Sequence, residues 1–112
     1  MIIESFIYEQ LSAALTVPVY TELPDNAPHN CVVIEKTGGG ESNTIRTAMV
    51  AVQAYGSTRY EAAKINEDVR AAMFALAERN EICRVELNSD YNFPDQTRKR
   101  NRYQSVWDIT YY

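Results

Sequence analysis

A strand pattern gives way to a helix pattern within residues 45–79, IRTAMVAVQAYGSTRYEAAKINEDVRAAMFALAER. In its first part, residues 45–55, the side chains of Val50, Val52 and Ala54 alternate with a mixed set of apolar and polar side chains. Such alternation predicts a β-strand with one apolar face and one face that meets solvent or a partner, as in an antiparallel sheet.

The second part of this stretch predicts a long amphipathic helix. Gly56 breaks the strand, and Thr58 stands three residues before Glu61, which is the spacing of a helix-capping box. We expect the helix to run to about Arg79, because apolar side chains recur at helical spacing along one stripe. This stripe consists of Ala62, Ile65, Val69, Ala72, Met73 and Leu76.

The regions before this stretch predict a helix, a loop and a further strand. Residues 2–15 have apolar side chains at helical spacing, and Pro18 ends the helical pattern. Residues 18–22 read as a short extended piece, and residues 23–30, LPDNAPHN, read as a loop because they are rich in turn-forming residues. Residues 31–37, CVVIEKT, are rich in β-branched side chains, which predicts a strand.

The regions after it predict two strands separated by a long polar loop. Residues 82–88 and 103–111 alternate in the manner of strands, and residues 89–101 contain turn signals. The element order is therefore α-β-β-β-α-β-β in a single domain, residues 1–112. Two amphipathic helices need one sheet face to cover their apolar stripes. We therefore expect a two-layer α+β fold, with a mostly antiparallel or mixed sheet and both helices on one face.

A glycine run interrupts the first long strand: Gly38, Gly39 and Gly40 are followed by Glu41 and Ser42. A phosphate-binding P-loop would need a lysine and a hydroxyl residue next, and a helix opening there. Here an acidic residue follows, and the next element is predicted to be a strand. We therefore interpret these residues as the tip of a hairpin that is mobile in the free chain and becomes ordered against a neighbouring subunit.

The charge is distributed unevenly along the chain. The formal net charge is −4, which argues against a generally basic nucleic-acid binder. Four of the eleven basic residues nevertheless lie in the segment RKRNR, which we call the basic segment: Arg98, Lys99, Arg100 and Arg102. Tyr91 and Phe93 precede it, giving a mixture that also occurs in nucleic-acid binders. The segment could contact phosphates, contact acidic patches on a partner or a second copy, or remain a solvated loop.

The sequence contains no constellation that predicts catalysis or metal binding. His29 is the only histidine and lies in a loop, so we expect an exposed histidine rather than a base or a ligand. A zinc site would need about four ligands, and none cluster near it. Asp90 and Asp95 are expected to be solvated acids of a turn, since a calcium loop needs denser oxygen spacing. We therefore expect no catalytic residue, no metal and no cofactor.

Cysteine usage and hydropathy indicate the compartment. Cys31 and Cys83 lie in strand-like apolar runs, which predicts two buried free thiols and favours a reducing cytoplasm. The N-terminus, MIIESFIYEQL, lacks the basic start and long apolar run of a signal peptide, so none is expected. No segment approaches the roughly 18 consecutive apolar residues of a transmembrane helix, so we expect no association with a membrane.

Several segments together resemble a known family. They are VPVYTELPDNAPHNCVVIEKTGGG (17–40), MVAVQAYG (49–56), STRYEAAKINEDVRAAM (57–73) and RYQSVWDITYY (102–112). In this order they are similar to the tail-terminator, or tail-completion, proteins of long-tailed bacteriophages. That family has a similar PVY…E…P pattern, a TGGG-like turn after an apolar strand and a closing arginine–aromatic strand. The resemblance extends over nearly the whole chain.

The resemblance implies a structural role in virion assembly and no enzymatic activity. Proteins of this family form a ring, usually a hexamer, that caps the tail tube when its growth stops and then joins the tail to the head. The implied partners are other copies of the chain, the major tail tube protein, and the head connector or head-closure protein. DNA would pass through the lumen only at ejection. The implied location is the head-proximal end of the virion tail, after assembly in the host cytoplasm.

The resemblance also suggests which segments make these contacts. By position, the glycine-rich hairpin, Gly38 to Ser42, and the loop from Asp90 to Arg102 correspond to the ring-contact or tube-contact segments. The predicted contact residues are Gly38, Gly39, Gly40, Glu41, Ser42, Tyr91, Phe93, Arg98, Lys99, Arg100 and Arg102.

Other functions remain open from the sequence. A head-closure or connector adaptor of the phage neck would share the same general features. A small nucleic-acid-binding module would use the basic segment, and a small hydrolase would need partners for His29. The eight tyrosines suit a protein interface, but tyrosine is also a good strand former.

Overall fold

The computed structural model describes all 112 residues, which form two helices and one five-stranded sheet. Helix α1 comprises Ile3–Ala14, and helix α2 comprises Arg59–Ala75 with a 3₁₀ turn, Leu76–Glu78, after it. The strands are β1 (Val19–Tyr20), β2 (Cys31–Ser42), β3 (Ile45–Gly56), β4 (Ile82–Asn92) and β5 (Asn101–Tyr111). The predicted α+β class and the predicted order of elements are confirmed.

The sheet is mixed but mostly antiparallel, as the sequence predicts. Its strand order is β1-β2-β3-β5-β4. Strand β1 runs parallel to β2, and every other neighbouring pair is antiparallel. Because β5 lies between β3 and β4, α2 connects two strands that are not neighbours.

Both helices cover the same face of the sheet and form one core with it. The Val50, Val52 and Ala54 face of β3 points into this core, as predicted. Its largest fully buried side chain is Trp107, whose indole N–H donates to Ser105 Oγ at 2.8 Å. At the start of α2, Thr58 Oγ1 accepts from the Glu61 N–H at 3.1 Å, which confirms the predicted cap. Other members are Ile3, Ile7 and Leu11 of α1 and Ile65, Val69 and Met73 of α2.

The opposite face of the sheet carries a second, smaller cluster at one end only. Cys31, Val33 and Tyr55 form it, and the connection between β1 and β2 covers it with Leu23 and Ala27. The second face of β3 therefore does not meet solvent at this end, whereas Met49 near the other end is exposed.

The glycine run is not a hairpin tip, and that prediction is wrong. Gly38, Gly39 and Gly40 lie within β2, opposite Met49, Ala48 and Thr47 of β3, and the strand continues through Ser42. The turn is Asn43–Thr44, with φ of 52° and 66°. A two-residue hairpin turn of this hand needs positive φ at both positions, which asparagine accepts readily. None of the glycines has a positive φ.

Two further predictions near β4 are wrong. The strand continues to Asn92, so Tyr91 lies in a strand, and the polar loop is only residues 93–100. Cys83 is exposed, because a bulge between Ile82 and Arg84 interrupts the alternation of the strand. Cys31 is buried, as predicted. Neither helix has the length and apolar character that a membrane crossing would require.

Candidate assembly surfaces

The outer edge of β2 is unpaired along its glycine-rich half. Strand β1 pairs with β2 only at Val32 and Val33, so no strand lies beside residues 35–42. We call residues 35–42 the open edge. All of its side chains or backbone positions are exposed except Gly38, which is half-buried. An unpaired strand edge presents free N–H and C=O groups, which form a template for pairing with another chain.

The register of the hairpin shows which groups of the open edge face outward. Ser42 and Ile45 flank the two-residue turn and form the closing hydrogen-bonded pair. Because hydrogen-bonded and non-hydrogen-bonded pairs alternate, Glu41 and Gly39 form the non-hydrogen-bonded pairs. Their N–H and C=O groups therefore point away from β3, towards the free side of β2.

The glycines leave this edge without protecting side chains. A Cβ atom at Gly39 would lie 2.9 Å from the Thr47 carbonyl oxygen and 3.0 Å from Lys36 Cε, so a side chain there is crowded. At Gly38 the nearest atom would be Met49 Cβ at 3.9 Å, which is an ordinary contact. Sterics therefore account for glycine at position 39 but not at position 38.

The opposite edge of the sheet, β4, is protected in the usual way. Bulges interrupt its pairing between Ile82 and Arg84 and between Leu87 and Ser89. Arg84 and Glu86 form an exposed ion pair at 3.1 Å on the same strand. Bulges and charged side chains discourage edge-to-edge pairing. Strand β2 also has one register shift, between Lys36 and Gly38, and its outer half carries Glu35 and Glu41. The two edges therefore differ at residues 38–42, where the open edge has three glycines and pairs with β3 without interruption.

At the other end of the β2–β3 hairpin, Asp95 organises the loop between β4 and β5. Asp95 is only 5% exposed. Its Oδ2 accepts from the Tyr55 hydroxyl at 3.1 Å, and its Oδ1 accepts from the Arg98 N–H at 3.1 Å. Arg98 and Arg102 form ion pairs with it at 3.4 and 3.7 Å. We call Asp95, Tyr55, Arg98, Arg100 and Arg102 the Asp95 network. The prediction that Asp95 is a solvated turn acid is wrong.

Arg102 lies inside this network rather than on the surface. Its side chain is 14% exposed, and it donates to the Phe93 carbonyl at 2.8 Å and to the Tyr55 hydroxyl at 3.2 Å. Its guanidinium carbon also lies 4.5 Å from the centroid of the Phe93 ring, a cation–π geometry.

Arg100 fastens this loop to the loop before β2. Its guanidinium donates to the carbonyls of Pro28 and His29, the latter at 2.9 Å, and lies 4.8 Å from the Tyr55 ring centroid. His29 itself is exposed, as predicted. The Asp95 network therefore joins two loops over the smaller hydrophobic cluster.

Burial and the nearby arginines together shift the pKa values of Asp95, Tyr55 and Cys31. Burial tends to raise the pKa of Asp95, but the Arg98 N–H, the Tyr55 hydroxyl and the Arg102 charge outweigh it and hold the pKa below its usual range. Burial raises the pKa of Tyr55, which Arg102 only partly offsets. Burial likewise raises the pKa of the Cys31 thiol, although Arg100 opposes this. The Cys31 thiol is therefore protonated and unreactive at neutral pH.

The basic residues of the basic segment therefore fall into two groups: those that bond within the chain and one that does not. Arg100 and Arg102 stabilise the loop, a role that no pattern in the sequence predicts, and Arg98 forms an ion pair with Asp95. Lys99 is exposed, has a φ of 53° and takes part in none of the six ion pairs. Next to it lies an open cleft of about 620 Å³, which the two loops border. Lys99 is the cation on this rim that has no internal partner.

The two predicted aromatic contact residues lie together at the base of this loop. Tyr91 and Phe93 are 40% and 42% exposed, with ring centroids 5.7 Å apart in an edge-to-face arrangement. Gln104 donates to the Tyr91 hydroxyl. They form a small exposed aromatic surface, which suits a protein contact.

One local pattern in the sequence indicates part of this network. An aspartate three residues before Arg98 is typical of a side chain that bonds to the backbone of a turn, as Asp95 does. The convergence of Tyr55 and Arg102 on Asp95 depends on strand pairing and could not be read from spacing. No group of three or more histidine, cysteine or acidic side chains is arranged to hold a metal ion.

Comparison with protein-family models and with curated proteins found no match to this chain.

Proposed function

We propose that the chain is a structural subunit of a long-tailed phage, and that copies of it assemble into a ring at the head-proximal end of the tail tube. The observation that carries the proposal is the open edge of β2. Its outward backbone groups belong to residues that the resemblance to tail-terminator proteins already suggested as contacts. Bulges and charged side chains usually discourage pairing along the whole of an exposed edge, as they do in β4. At residues 38–40 of the open edge the three glycines provide no side chain that would hinder a pairing strand.

In this proposal an extended segment of a neighbouring subunit or of the tube protein pairs with the open edge. Pairing by backbone hydrogen bonds places few demands on side chains, which fits a glycine run. A contact between two different surfaces of the same chain closes into a ring when the rotation between copies allows it. We propose a hexamer, with the tail tube protein on one side, the head connector on the other, and DNA passing through the lumen at ejection.

We propose that the chain has no enzymatic activity and is located in the virion. A nucleic-acid-binding module is less favoured, because Arg100 and Arg102 are committed to the Asp95 network and leave few cations for phosphates. A head-closure adaptor of the neck would use the same open edge, so it remains the alternative.

Loss of the gene separates the two structural roles. If the chain terminates the tail, its absence gives tails of abnormal length that do not join to heads. If it closes the head, its absence gives normal tails and heads that lose their DNA. Normal infectious particles in the absence of the gene would contradict both roles.

A further inference from the structure

A pocket of about 490 Å³ lies between the first half of α2 and the end of β4 and start of β5. It is distant in the sheet from the open edge, since β4 and β5 are on the opposite side of β3. The residues that matter for its chemistry are Tyr60, Asn66, Glu67, Asp68, Asp90 and Tyr103. Tyr60 is 73% exposed, so its ring is available to a partner at the rim.

Asn66 gives this pocket an unmet hydrogen-bonding requirement. The residue is 3% exposed, and its Nδ2 donates to Asp90 Oδ1 at 2.7 Å. Its Oδ1 is buried and accepts no hydrogen bond. Exchanging the two amide atoms would place oxygen against the Asp90 carboxylate, so the free atom is an acceptor. A buried acceptor without a donor is costly, so this pocket favours a ligand that donates.

The charge of the pocket indicates a cationic donor. Asp90 Oδ2 forms an ion pair with the Arg70 guanidinium at 3.3 Å, whereas Glu67 and Asp68 are exposed and form no ion pair. Lys64 at the rim also forms none. Tyr60 and Tyr103 add aromatic surface, which favours an organic cation. The acids are not grouped to hold a metal ion, so a lysine or arginine side chain fits better.

Besides Arg100, which donates to two backbone carbonyls, four basic residues of the chain form no ion pair, namely Lys36, Arg59, Lys64 and Lys99. Of these four, only Lys99 stands in a tight turn between two strands. Lys99 stands in a turn that Asp95 and Arg100 close with two backbone hydrogen bonds, of 2.9 and 3.0 Å. The turn is therefore held in place before any contact forms. Binding through an ordered loop costs little backbone entropy, and an ammonium has three donors for several acceptors.

We propose that the pocket receives the Lys99 ammonium of a second copy of this chain, which donates to Asn66 Oδ1 while the carboxylates of Glu67 and Asp68 at the rim attract its charge. A projecting lysine on one copy and an acidic pocket on the next form a heterologous contact, which repeats around a ring. This inference deepens the proposed function and rests on it for the ring, but the contact itself can be tested separately.

Zero-length coupling of amines to carboxylates detects the contact even when it is transient. Isotope-labelled and unlabelled chains are mixed at millimolar concentration, coupled with a carbodiimide, digested, and examined by mass spectrometry for mixed-isotope cross-links. The chain has three lysines, so Lys36 on the open edge and Lys64 on the pocket rim serve as internal controls. We expect cross-links from Lys99 to Glu67, Asp68 or Asp90 about tenfold above those from Lys36 to the same acids. Equal yields from Lys36 and Lys99 would overturn the proposal.

Charge variants test whether Lys99 of one copy contacts the acidic residues of the pocket on another copy. Lys99→Glu and the double variant Glu67→Lys, Asp68→Lys should each weaken self-association about tenfold or more, which corresponds to roughly 1.4 kcal/mol. An equimolar mixture of the two should restore association, measured by sedimentation, because glutamates on one copy then meet lysines on the other. Lys99→Arg should keep association and lose the cross-link. All of these residues are exposed, so the variants should fold normally.

The outcomes separate this inference from the proposed function. Rings that form with unchanged affinity in Lys99→Glu would overturn the pocket contact and leave the ring proposal standing. A Lys99-dependent contact in a chain that gives only open pairs would support the pocket and contradict the ring.

Discussion

The two ends of the β2–β3 hairpin belong to the same pair of strands but are built differently. At the end near Cys31 and Tyr55, two loops cover the sheet, and a buried carboxylate with three arginines holds them together. At the end near Ser42 and Ile45, the outer strand has three glycines, no neighbouring strand and exposed side chains. The first end is fastened within the chain, whereas the second keeps its backbone groups free for a contact outside it.

The difference shows that the number of charged or unusual residues does not identify a contact surface. The basic segment is conspicuous in the sequence, yet Arg98, Arg100 and Arg102 form hydrogen bonds that stabilise the fold of the chain itself. The glycines look like a loop, yet they pair with β3 in continuous register after a bulge between Lys36 and Gly38. What distinguishes the open edge is a missing neighbour in the sheet, and only strand order reveals that.

Removing the Asp95 carboxylate should have the largest effect on stability. Asp95→Ala leaves Arg102 and Tyr55 buried without their acceptor, and we expect the free energy of unfolding to fall by about 3 to 4 kcal/mol. Urea denaturation measures this. Glu86→Ala removes an exposed partner of Arg84 and is the matched control, with an expected change of less than about 1 kcal/mol. Similar losses for the two variants would show that the Asp95 network does not stabilise this end.

Gly56→Ala should have the next largest effect, because the junction between β3 and α2 has no room for a side chain. A Cβ atom there would lie 2.2 Å from the Ala62 backbone nitrogen and 2.7 Å from its Cα. We expect a loss of about 2 to 3 kcal/mol in thermal or chemical unfolding. Gly38→Ala at the open edge is the control, since its Cβ meets only an ordinary contact, and it should be neutral or slightly stabilising. A tolerated Gly56→Ala would contradict the tight junction.

Acid should lower the free energy of unfolding through the Asp95 network, by less than the two substitutions above. Because the pKa of Asp95 is lower in the folded chain than its unperturbed value of about 3.9, its contribution to stability is present above that value. It is lost as the pH falls through the folded-state pKa. Asp95→Asn should therefore flatten the pH dependence of stability in the acid range. Identical acid unfolding profiles for the variant and the original chain would refute this linkage.

Substitutions on the open edge should have the smallest effect on folding but a large effect on assembly. Glu41→Pro removes an N–H that points away from β3, so we expect stability to change by less than about 1 kcal/mol. It should nevertheless abolish ring formation, because proline has no N–H to donate to a pairing strand and its ring hinders the close approach of that strand. Glu41→Ala loses the same exposed pair with Arg46 but keeps the N–H, and it should assemble normally. Sedimentation and circular dichroism of both variants distinguish the two effects.

The sequence predicted most of the fold because the patterns that determine it are local. Alternation in β3, the stripe and cap of α2, and the N-terminal helix all follow from residues close in the chain. The predicted turn at the glycines is wrong because Asn43 and Thr44, not the glycines, have the positive φ values that the turn requires. Tyr55, Asp95 and Arg102 are brought together by the pairing of β3 with β5, a long-range contact that sequence spacing does not encode.

The central claim is that the open edge of β2 drives assembly into a ring. Electron microscopy of the purified chain, alone and with tail tubes, tests it directly when Glu41→Pro and Glu41→Ala are imaged in parallel. We expect closed rings, or caps at one end of the tubes, for the original chain and for Glu41→Ala, and neither for Glu41→Pro. A chain that stays monomeric and never binds tube ends, or a Glu41→Pro variant that forms the same rings, would contradict the claim.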